Sequence, residues 1–430
     1  MARSTSVDPI AVQVGCAALR HALQVDPPER WAATLDRCAG QCAPAHLKAW
    51  AQHHSVAPSV YRALAAIGHP GATPLQEALA PLSQTVAAAG LLQAEALTEI
   101  LRALDRHSID VMPLKGIHLD VRAYGGPGQR KDGDHDLLVR PGQLTDAAEV
   151  LREIGYEPAR PAPPVNMWLD AVPIHHGPPL VRRSGPMPSW IELHWHIAPT
   201  TEGLGLHNPA HLTEMMWRRS RPATLRGVPI REMDPTDEVM HLALHAIRHM
   251  AQHTRGLSLR FSMIEDLYRR IQSLPGLRGV VLQQRMGQVG QVDVQGPLRY
   301  VWKELLGACN TRLWPEGMPP EGMTPEGGHE APPWPRRAWE EWLIPEGFLR
   351  SAPHPKGTPK QRWHREKAWG LLVHALLLPR WKGRAALLAQ DLLHPLIHVN
   401  EKDRAVAPAL PDALLLPVRW ARLLLRVLRS

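Results

Sequence analysis

Arg130-Lys131-Asp132-Gly133-Asp134-His135-Asp136-Leu137-Leu138-Val139 reads as a charged turn running into a short buried strand. In extended chain, alternate side chains project to opposite faces. Asp134 and Asp136 therefore share one face, and His135, Leu137 and Val139 share the other. Two carboxylates at that spacing can hold a divalent cation between them. Left alone in an apolar setting they would be costly, so they require metal, arginine partners or water. Upstream, Met112-Pro113-Leu114-Lys115-Gly116 reads as a strand entering a glycine turn, with a helix expected over 117–124. A glycine there lets backbone N–H groups approach a phosphate, and a helix N-terminus favours negative charge. Lys115 and Arg130 carry charge suited to phosphate oxygens. Downstream, residues 190–196 alternate again: Glu192, His194 and His196 fall on one face, Ile191, Leu193 and Trp195 on the other.

Working outward, apolar runs at 109–114, 137–139 and 190–197 alternate with a helical stretch at 144–154 and Gly/Pro turns, a mixed helix-and-strand pattern over 108–200. Residues 8–107 carry helical periodicity, as in Ala87, Leu91, Ala94, Leu97, Ile100, Leu101 and Leu104, with breaks near Pro27-Pro28 and at 68–74. Helix is expected again over 235–275, opening at Asp234-Pro235-Thr236. Residues 314–328 form a five-residue repeat with Pro315, Pro320 and Pro325 in phase, too rich in Pro and Gly for regular structure. The division expected is a helical N-terminal region (1–107), a sheet-containing core (108–233), a helical domain (234–311), a Pro/Gly-rich linker (312–360) and a basic helical C-terminal region (361–430).

The chain has 430 residues, a net charge of +8, 44% hydrophobic and 21% charged residues, which excludes wholesale disorder. The charge excess permits a phosphorylated ligand or a polyanion and demands neither. Cys16, Cys38, Cys42 and Cys309 are too scattered for a disulfide framework; Cys38 and Cys42, four apart, are expected to be buried small hydrophobes on one helix face. No charged leader followed by an apolar run opens the sequence, and no stretch of about 18 apolar residues is free of charge or proline. A cytoplasmic location with no integral membrane span is the expectation. The last segment sets Arg419, Arg422, Arg426 and Arg429 among Leu and Val, the pattern of a helix that caps a core or lies on a membrane surface.

Leu114-Lys115-Gly116, Arg130 with 133–139, Ala147…Leu151…Gly155-Tyr156 and Glu192-Leu193-His194-Trp195, in that order, resemble a family of largely uncharacterised bacterial nucleotidyltransferases. That family belongs to the polymerase-β-like superfamily, which includes the antibiotic nucleotidyltransferases, and the resemblance spans about 85–275. It implies an α+β core, a mixed sheet with helices, flanked by helical N- and C-terminal regions. It implies Asp134, Asp136 and Glu192 as catalytic metal ligands, and Lys115, Gly116 and Arg130 as contacts to nucleotide phosphates. The cofactor implied is Mg²⁺ or Mn²⁺, and the substrate an NTP whose NMP passes to an acceptor hydroxyl on a small molecule, a peptide or protein, or a nucleic acid. Position 132 is Asp where the family has an apolar residue, and position 135 is His where it has Ile. A competing expectation is a non-catalytic nucleotide-binding or scaffold protein on the same fold.

Histidines lie every four residues at His241, His245, His249 and His253, a row expected to line an interface with the core rather than to hold zinc, since no H-E-x-x-H accompanies it. His175-His176, just ahead of the Glu192 strand, are candidates for a place near the same site.

Overall fold

Five helices precede the first strand: α1 (Pro9–Ala22), α2 (Pro28–Cys38), α3 (Pro44–His53), α4 (Ala57–Ile67) and α5 (Thr73–Arg106). Each carries proline in its first two positions, where the missing N–H has no helical partner to lose and the fixed φ already suits the helix. Asp8 caps α1, accepting from the Ile10 N–H at 2.9 Å. The described residues of this computed structural model are 8–159, 165, 175–197, 209–251, 260–277, 281 and 284–285. The linker at 312–360, the basic region at 361–430, Cys309 and His253 lie outside them.

The breaks expected near Pro27-Pro28 and at 68–74 are present, and two further ones, at 39–43 and 54–56, go beyond those expected. Cys38 ends α2 and Cys42 follows a single 3₁₀ turn, so the two do not share a helix face as expected, although both are buried. The turn intervenes because Gly40 favours coil over helix.

Five strands make one mixed sheet: β1 (Val111–Pro113), β2 (His135–Val139), β3 (Glu157–Pro158), β4 (Leu180–Arg182) and β5 (Ser189–His194), in spatial order β1-β2-β5-β4-β3. β2 and β5 run parallel, and the other pairs are antiparallel. The helix expected over 117–124 is realised as α6 (Ile117–Leu119) followed by a π-helical turn at Asp120–Tyr124, and α7 (Leu144–Glu153) matches the expected 144–154. Alternation decides the layers. Leu137, Val139, Ile191 and Leu193 face a core shared with α7 and the second half of α5. Met112, Leu114 and Leu138 face a second core, built from α1–α4, α8 (Pro209–Arg219), α9 (Pro235–Ala251) and α10 (Phe261–Gln272). Helix α5 serves both: Leu75 and Leu79 join the second core, and residues from Ala94 to Leu104 join the first. Pro81 lies between these halves.

A hairpin, β6 (Arg221–Leu225) and β7 (Val228–Glu232), adds Leu225, Val228 and Ile230 to the α5 core. Its two turn residues, Arg226 and Gly227, have φ of 51° and 78°, the twist that suits a two-residue hairpin. The expected helix at 235–275 is realised as α9 and α10, and residues 252–259 lie outside those described. Asp234 starts α9, accepting from the Thr236 N–H at 2.9 Å.

Candidate active site

The parallel register of β2 and β5 pairs Asp136 with Glu192. Leu137 and Leu193, packed in the α5–α7 core, hold both strands so that the carboxylates face the other way. His194 lies two residues beyond Glu192 on the same face. Its Nε2 is 3.0 Å from Asp136 Oδ1 and 3.8 Å from Glu192 Oε2. Donor atoms of Asp136, Glu192 and His194 all fall within 4.8 Å of one another. Asp134, one residue ahead of β2, keeps 38% of its side chain exposed, against 3% for Asp136. Lys115 enters from the loop after β1 and sets its Nζ 2.8 Å from Asp136 Oδ2 and 3.8 Å from Asp134 Oδ1.

An ammonium between two carboxylates stands where a cation between them would stand. Carboxylate oxygens with one imidazole form a donor set that a divalent cation accepts. The residues present thus fit such an ion, and Asp136, Glu192 and His194 could hold it.

The electrostatics follow from burial and neighbours. Burial opposes the charge on Asp136, but Lys115 and the hydrogen bond with His194 hold its carboxyl well below the usual range. Burial likewise opposes the charge on Lys115, and Asp136 and Asp134 overcome it and raise its pKa. Asp134 is pushed up by burial and by Asp136. Glu192 is pushed up by burial, against the pull of His176. His194 is pushed down to about 4 by burial, which keeps the ring neutral. His135, on the opposite face, is also buried and pushed down to about 4.

A cavity of about 240 Å³ opens beside this group, lined by Lys115, Gly116 and Asp134 and by residues of α9 and the start of α10. Gly116 has φ +73° and ψ −137°, a conformation that a side chain strains. Gly116→Ala should destabilise the fold by about 1–3 kcal/mol, read by urea unfolding. A variant as stable as the wild type would mean that the turn relaxes.

Arg130 lines the same cavity, with its donors committed to carboxylates. Nε and Nη2 donate to Asp266 of α10 at 2.9 and 2.8 Å, Nη1 contacts Asp132, and Asp120 Oδ1 is 3.8 Å from Nε. The Tyr124 hydroxyl donates to Asp266 at 2.6 Å. Asp132, the residue unlike the family's apolar one, is therefore one of three acids around a single guanidinium. Just ahead of it, a Cβ built on Gly90 of α5 would meet the Gly128 Cα at 2.4 Å, so α5 and this loop touch backbone to backbone.

Of the histidines, His176 Nδ1 is 2.8 Å from the Gly177 carbonyl, which can only accept, and 3.9 Å from Glu192 Oε2. The His175 and His194 rings are in edge contact at 5.3 Å. His175-His176 are thus brought to the site. His245 lines the cavity and His241 is buried, with their rings 6.4 Å apart. Among the described residues, the triad that could hold a metal includes neither. The side chain of His249 lies outside those residues, as does His253. His194 is the member of the site to which the sequence assigned no role. The signals were its place on the Glu192 face and in the stretch Glu192-Leu193-His194-Trp195.

A family profile described as uncharacterised nucleotidyltransferase matches residues 43–274, more than half of the chain. The chain belongs to this nucleotidyltransferase family. No curated protein and no solved structure matches it. The match ends where the resemblance at 85–275 ends but begins earlier, so the family unit takes in α3, α4 and all of α5 as well as the sheet and α8–α10. Among the described residues of this nucleotidyltransferase-family chain, no helix is long and apolar enough to cross a membrane.

The acids around Arg130 also carry a pH dependence. Burial, then Asp132, pushes the Asp120 carboxyl up to about 8. A carboxyl raised in the folded state holds its proton there and loses it on unfolding. Its effect is therefore a stability that falls as pH rises from about 4, the unfolded value, to about 8. Asp120→Asn should flatten that part of the profile and stabilise the chain above pH 8. The amide oxygen can still accept from the Gly128 N–H, now 3.1 Å from Asp120 Oδ2. An unchanged profile by thermal unfolding across pH 5–9 would place a charged Asp120 in the fold.

Proposed function

We propose that this chain transfers a nucleoside monophosphate from an NTP to an acceptor hydroxyl with release of pyrophosphate, on a polymerase-β-like core of the bacterial type. The observation that carries the reading is the β2–β5 register: it sets Asp136 beside Glu192, with the Lys115 ammonium lying between Asp134 and Asp136. Family membership supports the reaction class.

Asp134, Asp136 and Glu192 are the proposed catalytic carboxylates and the proposed holders of Mg²⁺ or Mn²⁺. A divalent cation bound there supplies Lewis acidity and makes the acceptor hydroxyl easier to deprotonate. Glu192, with its pKa raised by burial, is suited to take that proton. The freed oxygen attacks the α-phosphorus, the bond to the β-phosphate oxygen breaks, and pyrophosphate leaves with that electron pair. Lys115 exchanges its carboxylate partners for phosphate oxygens, and Gly116 leaves the backbone open to them. Arg130 lies on the phosphate side and also ties the 130–134 loop to α10 through Asp266. The acceptor is a small molecule, a peptide or protein, or a nucleic acid, and the cytoplasm, where NTPs are plentiful, is the proposed location.

The Lys115–Asp136 ion pair favours a second reading, in which the lysine keeps its place and the protein binds nucleotide without turning it over. Each of the four NTPs, with Mg²⁺ or Mn²⁺ and cell extract as acceptor, separates the two. Pyrophosphate release with label transfer is expected. Nucleotide binding by calorimetry without release selects the second reading, and neither binding nor release removes both.

A further inference from the structure

The cavity beside Asp134 holds two positive charges that the carboxylates do not compensate. Four cationic side chains line it: Lys115, Arg130, Lys131 and Arg260. Lys115 is paired with Asp136 and Asp134, and Arg130 with Asp266 and Asp132. Lys131 has no hydrogen bond or ion pair, and Arg260 no carboxylate within 4.0 Å, among the described residues. Arg260 Nη1 instead donates to Ser55 Oγ at 3.3 Å. A lone charge at a cavity wall is best satisfied by an anion that enters the cavity.

The backbone holds these two residues in place. Arg260 immediately precedes α10, and the next turn is tied down where the Ser262 N–H donates to the His54 carbonyl at 3.2 Å. Ser55, in the turn between α3 and α4, has φ +59°, a conformation disfavoured for serine, in the same turn that offers its hydroxyl to Arg260. Lys131 lies between Arg130 and Asp132, both fixed in the three-acid network. A volume of about 240 Å³ is below the roughly 300–1,000 Å³ that encloses a whole drug-sized ligand. It suits a phosphate chain whose nucleoside stays outside.

We infer that Lys131 and Arg260 clamp the terminal phosphates of the NTP, so that the nucleotide site is shared by the sheet core, the α3–α4 turn and the start of α10. The inference rests on the nucleotidyltransferase reading above. It gives the α3–α4 turn, through Ser55, a part in positioning the clamp, and it makes the site selective for triphosphates over monophosphates, whose single phosphate cannot span both the catalytic carboxylates and the clamp.

The test is calorimetry on the full chain with Mg²⁺, using the four NTPs, inorganic tripolyphosphate and the matching NMPs. The variants are Lys131→Gln, Arg260→Gln, the double variant, and Arg218→Gln on α8 as a control for net charge. Lys131 and Arg260 are exposed, so wild-type melting temperatures are expected. Each single variant should weaken NTP and tripolyphosphate binding about tenfold, and the double about a hundredfold, with NMP binding and the Arg218→Gln control unchanged. Unaltered NTP affinity in the double variant overturns the clamp and leaves the nucleotidyltransferase reading standing. Equal weakening of NMP, or equal weakening in Arg218→Gln, also overturns it. Failure of the wild type to bind any NTP overturns the clamp and the reading together.

Discussion

Asp134→Asn is expected to abolish nucleotidyl transfer, by at least about 10³-fold, and to leave the melting temperature of the metal-free protein unchanged or slightly higher. Asparagine keeps the size and removes the charge on which a divalent ion depends, and several kcal/mol of transition-state stabilisation go with it. The fold tolerates the change because Asp134 is partly exposed and burial and Asp136 push its carboxyl up, so its charge is unwelcome without metal. Asp136→Asn is expected to be equally inactive but to cost stability. Its carboxylate is buried, 2.8 Å from Lys115 and 3.0 Å from His194, and its loss strands a buried ammonium. From alternation alone the two aspartates look interchangeable, and removing either would relieve repulsion. Lys115 breaks that symmetry. Glu192→Gln is also expected to be severely impaired. Wild-type turnover in Asp134→Asn, or a large fall in its metal-free melting temperature, would make these carboxylates structural and remove the catalytic reading.

Arg130→Met is expected to unfold more easily by about 3–5 kcal/mol at neutral pH, because Asp132 and Asp266, and Asp120 once it ionises, lose the one guanidinium they share. Arg130→Lys recovers little, since a single ammonium cannot reproduce the paired donation to Asp266 from Nε and Nη2. The sign of the pH effect distinguishes this cause from simple loss of packing. Burial raises the Asp120 and Asp132 carboxyls, and losing the arginine removes the largest pull against it, so the variant should lose stability as pH rises and regain part of it as they protonate towards pH 5. Urea unfolding at pH 5 and pH 8 measures both. A loss below about 1 kcal/mol at both values, the range of exposed pairs, would show that the network contributes little and that Arg130 serves phosphate alone.

Local rules made much of this chain legible. The period of two in 134–139 and 190–196 placed Asp136 and Glu192 opposite Leu137 and Leu193, and the sheet keeps that alternation. Proline and glycine marked the helical breaks near Pro27-Pro28 and at 68–74, though not those at 39–43 and 54–56. These signals survive because they arise from backbone geometry within a few residues. The turn of the β6–β7 hairpin, Arg226-Gly227, lacks the Asn-Gly or Asp-Gly that announces such turns and was not legible. Nor was the approach of His194 to Asp136, since face alternation within one strand says nothing about which strand lies beside it. Arg130 is the sharpest case. Its sequence neighbourhood reads as phosphate-binding, while Asp266, 136 residues away, takes two of its donors. A charged side chain's partner is chosen by whichever opposite charge the fold buries next to it, and that depends on the packing of α10 against the core, which no local pattern encodes.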